Sequence, residues 1–127
     1  FLDANSFTGI NFINDLCYVD KLQFRENNKI GCCFDIGNNY ERDIIEEMKN
    51  YNKYNMLHHI HIKEKNTKGI SVSLGKGIIG YKGWVKIFKF LKEINYGGDF
   101  TLQVGRGKEG DELETVKKQV EFIKELL

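Results

Sequence analysis

All three histidines of the chain lie within four residues, in the segment 58–64 (HHIHIKE). The alternation of residue types is typical of a β-strand, and it places His59, His61 and Lys63 on one face and the isoleucines on the other. Two imidazoles and an amine that share one face of a strand can bind a metal ion or an anionic substrate. The simpler alternative is a polar strand end with ordinary surface histidines, and this segment alone favours that alternative.

Composition describes a globular protein with no strong preference for a charged partner. The 127 residues are 41% hydrophobic and 29% charged, which is enough for one domain with a core. The net charge of +1 does not favour nucleic acid or a membrane surface as a partner. No apolar run of about 18 residues and no signal peptide are recognisable. Cysteines at positions 17, 32 and 33 have neither zinc-site spacing nor a disulfide pattern, so we expect a reducing cytoplasm.

Strand and helix signals alternate along the whole chain. Residues 1–4, 30–36, 56–63 and 100–104 are predicted strands, and helices are predicted over 6–23, 41–51, 83–94 and at the carboxyl end. An amphipathic stripe marks the last helix, consisting of Leu113, Val116, Val120, Ile123 and Leu127. Strict alternation predicts an α/β fold with a parallel sheet, in one domain over residues 1–127. The glycine-rich segment 64–82 is predicted to be a loop near the functional site.

The carboxyl ends of the predicted strands carry the polar residues that could form a site, since parallel α/β folds bind ligands there. One residue comes from each strand: Asp3, Asp35, His61 and Gln103. Two carboxylates, an imidazole and an amide oxygen form a ligand set for Mn²⁺, Mg²⁺, Co²⁺ or Zn²⁺. Further polar residues lie just beyond the strand ends, namely Asn38, Lys63 and Arg106.

Several of these residues also have simpler explanations. Asp35 is the strongest candidate, because a carboxylate in an apolar strand is costly to bury unless it has partners. Asp3 could instead cap the following helix, and Gln103 could satisfy a neighbouring backbone group. His58 and His59 are expected to be surface residues or to contact a metal ligand without contacting the metal itself. The adjacent cysteines 32 and 33 are expected to be small core residues.

The segment 75–80 (GKGIIG) formally matches the GxGxxG pattern of nucleotide-binding loops, with Asp99 about 20 residues later. That pattern binds a dinucleotide when it joins a strand directly to a helix. Here the glycines lie within a long predicted loop, so nucleotide binding is disfavoured.

Four segments in the same order resemble motifs of the xylose isomerase-like TIM barrels, which are sugar-phosphate isomerases and epimerases. Residues 34–38 (FDIGN) are similar to the family's D-[IT]-G-[NH] strand end, and 59–64 (HIHIKE) to its H-x-H-[IL]-K-[DE]. Residues 74–77 (LGKG) resemble the loop L-G-x-G, and 96–103 (YGGDFTLQ) resemble the turn into the last strand. The resemblance implies the carboxyl-terminal half of a TIM barrel. The sequence begins with Phe1 rather than Met, from which we expect a processed or partial chain.

The resemblance also implies a chemistry. A divalent metal would be held by Asp3, Asp35, His61 and Gln103, and two glutamates of the family exchange protons beside a substrate carbonyl. This chain has Asp3 and Gln103 at those two catalytic positions, and a glutamine cannot exchange a proton. Substrate hydroxyls or a phosphate would contact Asn38, Lys63 and Arg106.

Two functions follow from these implications. The first is a metal-dependent isomerase or epimerase of sugars or sugar phosphates, acting in the cytoplasm by proton transfer next to a carbonyl. The alternative is a catalytically inactive partial barrel that serves as a binding or assembly module.

Four strands of an eight-stranded barrel leave two sheet edges and a core face uncovered. We therefore predict that the chain forms a homo-oligomer or associates with an amino-terminal half. Size-exclusion chromatography with light scattering of the isolated chain should give the mass of at least two copies, and a clean monomer would contradict self-association.

Overall fold

The computed structural model describes residues 2–3, 32–105 and 110–127, and for the first two it describes only the backbone. The helix predicted over 6–23 lies outside these residues, as do Cys17 and Arg106. The elements in chain order are β1 (Leu2–Asp3), β2 (Cys32–Asp35), a 3₁₀ turn (Ile36–Asn38), α1 (Ile44–Lys53), β3 (Leu57–Ile62), β4 (Glu64–Lys65), β5 (Ser71–Val72), α2 (Gly80–Glu93), β6 (Asp99–Leu102) and α3 (Glu112–Leu126).

The main sheet has four parallel strands in the order β1, β2, β3 and β6. Helix α1 joins β2 to β3 and α2 joins β3 to β6, so the predicted α/β class with a parallel sheet is confirmed. The glycine-rich segment after β3 differs from the predicted loop, because β4 and β5 pair within it as an antiparallel ribbon. None of the helices in the described part of the chain combines the length and apolar character needed to cross a membrane.

One face of the sheet is apolar and packs against the helices. Phe34, Ile60 and Ile62 are at most 1% exposed. Apolar side chains of α1 and α2 complete this core, namely Met48, Tyr51, Trp84, Ile87, Phe88 and Leu91. Full burial of one such side chain stabilises the fold by roughly 1.5–3 kcal/mol. Since successive strand residues point to opposite faces, the residues that alternate with this apolar set lie on the other face of the sheet.

Helix α3 presents a different face to the core from the one predicted. Leu113 and Leu127, two members of the predicted stripe, are 69% and 62% exposed. Phe122 and Leu126 pack on the core instead, together with Ile123 of the stripe. A polar anchor fixes this rotation of the helix, because the buried Gln119 accepts a hydrogen bond from the Leu74 backbone at 2.7 Å. The Leu74 backbone donor is far from α3 in sequence, so helical periodicity does not reveal it. The predicted stripe was therefore wrong about which face of α3 packs on the core.

Glu64 is a buried carboxylate, 1% exposed, that holds the segment between β3 and α2 in place. It accepts hydrogen bonds from the backbone N–H of Gly75, from Gly77 at 2.9 Å, from Gly80 at 2.7 Å and from the Trp84 indole at 2.9 Å. Because its bond to Gly80 caps α2, the helix begins three residues before the predicted position 83. The three glycines are those of the GxGxxG pattern, so N–H groups that would bind a phosphate in a nucleotide site donate to an internal carboxylate.

Replacing Glu64 should strongly destabilise the fold. Glu64→Ala leaves four buried or half-buried donors without an acceptor, and we expect a loss of at least about 3 kcal/mol in the free energy of unfolding. Glu64→Gln keeps one acceptor oxygen and should give an intermediate loss. The measurement is urea denaturation followed by circular dichroism.

The matched control is Glu93→Ala on α2. The Glu93 side chain is exposed, and its carboxylate forms a long ion pair of 3.9 Å with the Lys89 ammonium. This control should change the free energy of unfolding by less than about 0.5 kcal/mol. Equal effects of the Glu64 and Glu93 variants would contradict the role assigned to Glu64.

Candidate functional site

Sheet register brings the polar residues of three strands to one level. Asp35, the last residue of β2, pairs with His61 of β3, and His61 pairs with Thr101 of β6. One step earlier along the strands, Cys33 pairs with His59. Cys33, Asp35, His59 and His61 alternate with the apolar core residues, so all four lie on the face opposite the helices.

The 3₁₀ turn after β2 fixes the orientation of the Asp35 carboxylate, which is only 3% exposed. One carboxylate oxygen accepts the Asn38 backbone N–H at 2.9 Å, and the other accepts the Asn38 side-chain amide at 3.0 Å. The Asn39 side chain donates to the Asp35 carbonyl at 2.8 Å. Gly37 completes the turn, since a β-carbon there would lie 2.7 Å from the Lys63 carbonyl oxygen. The FDIGN segment therefore presents a buried carboxylate in a single orientation.

Two of the predicted site residues, Lys63 and His61, lie next to this carboxylate, and a third, Gln103, is linked to it through Lys63. The Lys63 ammonium lies 3.5 Å from Asp35 Oδ2 and 3.5 Å from Gln103 Oε1, and it bridges the two side chains. His61 Nδ1 lies 3.9 Å from Asp35 Oδ2. The Gln103 backbone donates to Ile62 O at 2.9 Å and continues the sheet pairing beyond β6, which positions the amide side chain. Its side-chain oxygen thus meets an ammonium rather than the neighbouring backbone group that the simpler explanation proposed.

The remaining predicted site residues are placed only in part. Asn38 orients Asp35 through two hydrogen bonds rather than projecting away from it. Asp3 lies in β1 with Cys33 as its partner in the sheet register, and its side chain is outside the described structure. Arg106 lies outside the described residues altogether. His58 is on the opposite face of β3 from His59 and bonds to the Asn55 carbonyl oxygen at 2.7 Å.

A second cluster was missed by the sequence. Cys33, His59 and His61 each offer a ligand atom, and these atoms all lie within 4.8 Å of one another. Cys33 is buried, as expected for a core cysteine, with 8% exposure, but it is not in the apolar cluster under the helices to which Cys32 belongs. Cys33 lies two residues before Asp35, and this spacing alone places it on the same face of the sheet. That His59 is its neighbour on β3 depends on the strand register, which the sequence does not specify.

The donor set around Asp35 fits a divalent cation. Oxygen and nitrogen ligands lie about 2.0–2.2 Å from a transition metal, so two ligand atoms up to roughly 4 Å apart can share one ion. The 3.9 Å between Asp35 Oδ2 and His61 Nδ1 meets this condition. The Lys63 ammonium contacts the Asp35 carboxylate and the Gln103 side-chain oxygen. An ion bound here would therefore compete with this ammonium for the carboxylate.

Comparison with known proteins agrees with this fold. Residues 14–126 match the family model described as xylose isomerase-like TIM barrel. The match covers most of the chain, so the protein belongs to the xylose isomerase-like TIM barrel family, and the resemblance inferred from four motifs is confirmed. A search of the curated proteins found no match.

Removing the Lys63 ammonium should strengthen cation binding at Asp35. In Lys63→Met the aliphatic stem remains, while the positive charge 3.5 Å from the carboxylate is lost. We expect the affinity for Mn²⁺, measured by isothermal titration calorimetry, to rise at least about tenfold, because unit charges at this separation interact by more than 1 kcal/mol in a partly buried site.

Lys68→Met, at an exposed position, is the control and should leave the affinity unchanged. Weaker Mn²⁺ binding by Lys63→Met would show that the ammonium holds the ligands in place rather than competing with the ion.

Proposed function

We propose that this chain carries the metal-binding half of an isomerase that acts on sugars or sugar phosphates by moving a proton next to a carbonyl group. The observation that carries the proposal is the convergence of Asp35, His61, Lys63 and Gln103 at the carboxyl ends of three neighbouring parallel strands. Membership of the xylose isomerase-like family supports the same reaction class.

In this proposal Asp35, His61 and Gln103 hold a divalent cation, with Asp3 as a further ligand. When bound, the cation supplies positive charge that polarises the substrate carbonyl and stabilises the enediolate that forms on proton removal. Asn38 keeps the Asp35 carboxylate in one orientation, which lowers the cost of organising the site during the reaction.

Lys63 is proposed to bind the substrate. Its side chain is 18% exposed and its ammonium already lies beside two oxygens of the site, so it can donate a hydrogen bond to a hydroxyl or phosphate oxygen of the bound sugar. Arg106 is proposed to bind the same anionic or hydroxyl groups. These two cations give the site a preference for substrates that carry a phosphate.

The acid–base chemistry is proposed to use one carboxylate. Gln103 directly follows β6, and its amide can bind an ion or a hydroxyl but cannot accept a proton at neutral pH. Asp3 then remains as the base, and a single base serves proton transfer between adjacent carbons on one face of the substrate. An isomerase is therefore favoured over an epimerase, which needs proton donors on both faces.

A non-catalytic role is the second candidate. The observation in its favour is the Lys63 ammonium, which pairs with Asp35 and Gln103 and balances the buried charge with a residue of the chain itself. A partial barrel with such a site can keep its fold while acting as a binding or assembly module.

Proton exchange separates the two candidates. The protein would be incubated with keto-sugars and their phosphates in D₂O with Mn²⁺, and deuterium at the carbon beside the carbonyl followed by NMR. We expect incorporation with a phosphorylated keto-sugar, and a fall of at least about 100-fold in Asp35→Asn and in His61→Gln, as is typical when a group that stabilises developing charge is lost.

His58→Gln is the matched control, because His58 is on the other face of the same strand and bonds to a backbone carbonyl. It should exchange at the rate of the unmodified protein. Equal exchange in Asp35→Asn and in the unmodified protein would contradict the proposed site. Absence of exchange with every substrate, also after an amino-terminal barrel half is supplied, would favour the non-catalytic module.

A further inference from the structure

The cluster formed by Cys33, His59 and His61 differs chemically from the oxygen-rich set around Asp35. Cys33 is buried, the two histidines are half-buried, and their ligand atoms all lie within 4.8 Å of one another. Parallel pairing places Cys33 beside His59, and His61 follows two residues later on the same face. No other group of three histidine, cysteine or acidic side chains with this geometry occurs within residues 32–105 and 110–127.

We infer that Cys33, His59 and His61 form a binding site for a borderline-soft divalent ion, Zn²⁺ or Co²⁺. A thiolate with two imidazoles is a ligand set that these ions prefer, whereas Mg²⁺ and Mn²⁺ prefer oxygen ligands. Three protein ligands leave the fourth tetrahedral position open to water or to another oxygen. The sulfur atom therefore decides which ion the protein holds.

The three ligand atoms need only small movements to surround one ion. Zinc lies about 2.3 Å from sulfur and about 2.0–2.1 Å from nitrogen, so ligand atoms of a tetrahedral site are roughly 3.3–3.6 Å apart. Closing the 4.8 Å spread takes shifts of about 1 Å, which side-chain rotations of half-buried imidazoles supply without moving the strands.

Neighbouring side chains support this arrangement. The Thr101 hydroxyl lies 2.7 Å from His59 Nε2 and orients that imidazole, as polar partners of metal-binding histidines commonly do. The rings of His59 and His61 meet edge to face, with centroids 5.3 Å apart. Asp35 Oδ2 lies 3.9 Å from His61 Nδ1, but Asp35 is not among the residues whose ligand atoms all lie within 4.8 Å of one another.

This site does not depend on the proposed isomerase activity. His61 belongs to both ligand sets, but ion binding at Cys33 and His59 can be measured with no substrate present. The two ligand sets share only His61, so one residue from each distinguishes them: Cys33 is required only by the sulfur-containing site, and Asp35 only by the oxygen-rich one.

Cobalt absorption spectroscopy tests the inference directly. The full chain, freed of metal by dialysis under reducing conditions, would be titrated with Co²⁺. We expect stoichiometric binding with a near-ultraviolet sulfur-to-cobalt charge-transfer band and the intense visible bands of tetrahedral cobalt. Zn²⁺ should abolish both by displacement, and Mg²⁺ should not.

Variants assign the bands to residues. Cys33→Ser should lose the charge-transfer band and bind Co²⁺ at least about tenfold more weakly, because the sulfur ligand of the ion is removed. Cys32→Ala is the matched control, because Cys32 is the adjacent thiol but packs in the apolar core, and it should keep the band. His59→Gln should keep the band and weaken binding. Circular dichroism confirms that each variant is folded.

Three outcomes would overturn the inference: no Co²⁺ binding by the folded protein, binding without the charge-transfer band, or a band that survives in Cys33→Ser. Cobalt binding lost in Asp35→Asn but unchanged in Cys33→Ser would assign the ion to the oxygen-rich set alone. A charge-transfer band without any deuterium exchange, also after an amino-terminal barrel half is supplied, would refute the proposed isomerase and keep this site. Exchange with Mn²⁺ in a protein that shows no band would do the reverse.

Discussion

The Glu64 carboxylate is the interaction on which the geometry of the site side of this fold depends. It is buried in β4, just beyond the end of β3. It accepts four hydrogen bonds from N–H groups of α2 and of the segment between β5 and α2. A buried carboxylate without such donors would cost several kcal/mol, so the charge forces the glycine-rich segment to wrap around it. Because Lys63 immediately precedes Glu64, the same wrapping fixes where the chain leaves β3 and where the Lys63 ammonium can reach.

Strand β3 serves two environments through its two-residue period. Ile60 and Ile62 pack under the helices with at most 1% exposure, while His59 and His61 lie on the opposite face. Apolar packing on one face holds the strand in place, and the same backbone fixes the positions of the imidazoles on the other face. Stability and site geometry thus come from alternate residues of one short segment.

Much of this organisation was predictable from the sequence, and the exceptions share one physical cause. Asp35 and His61 were predicted to meet because parallel strands end at one edge, and the structure places them 3.9 Å apart. Cys33 was missed, since its neighbour His59 is set by strand register rather than by local pattern. The start of α2 and the packed face of α3 were missed because distant partners, Glu64 and Leu74, determine them. Contacts between residues far apart in sequence leave no periodic signal.

The site is therefore layered along the strands, and the layers differ in chemistry. Cys33 and His59 form a deeper level containing sulfur, Asp35 and His61 form the next, and Lys63 with Gln103 forms a level that carries its own cation. Among the described residues, His61 belongs to both of the proposed ligand sets. In the proposed sites a soft ion would favour the thiol, whereas a hard ion would compete with the Lys63 ammonium for the carboxylate. The order of side chains along β2 and β3 thus places sulfur, carboxylate and ammonium groups at successive levels.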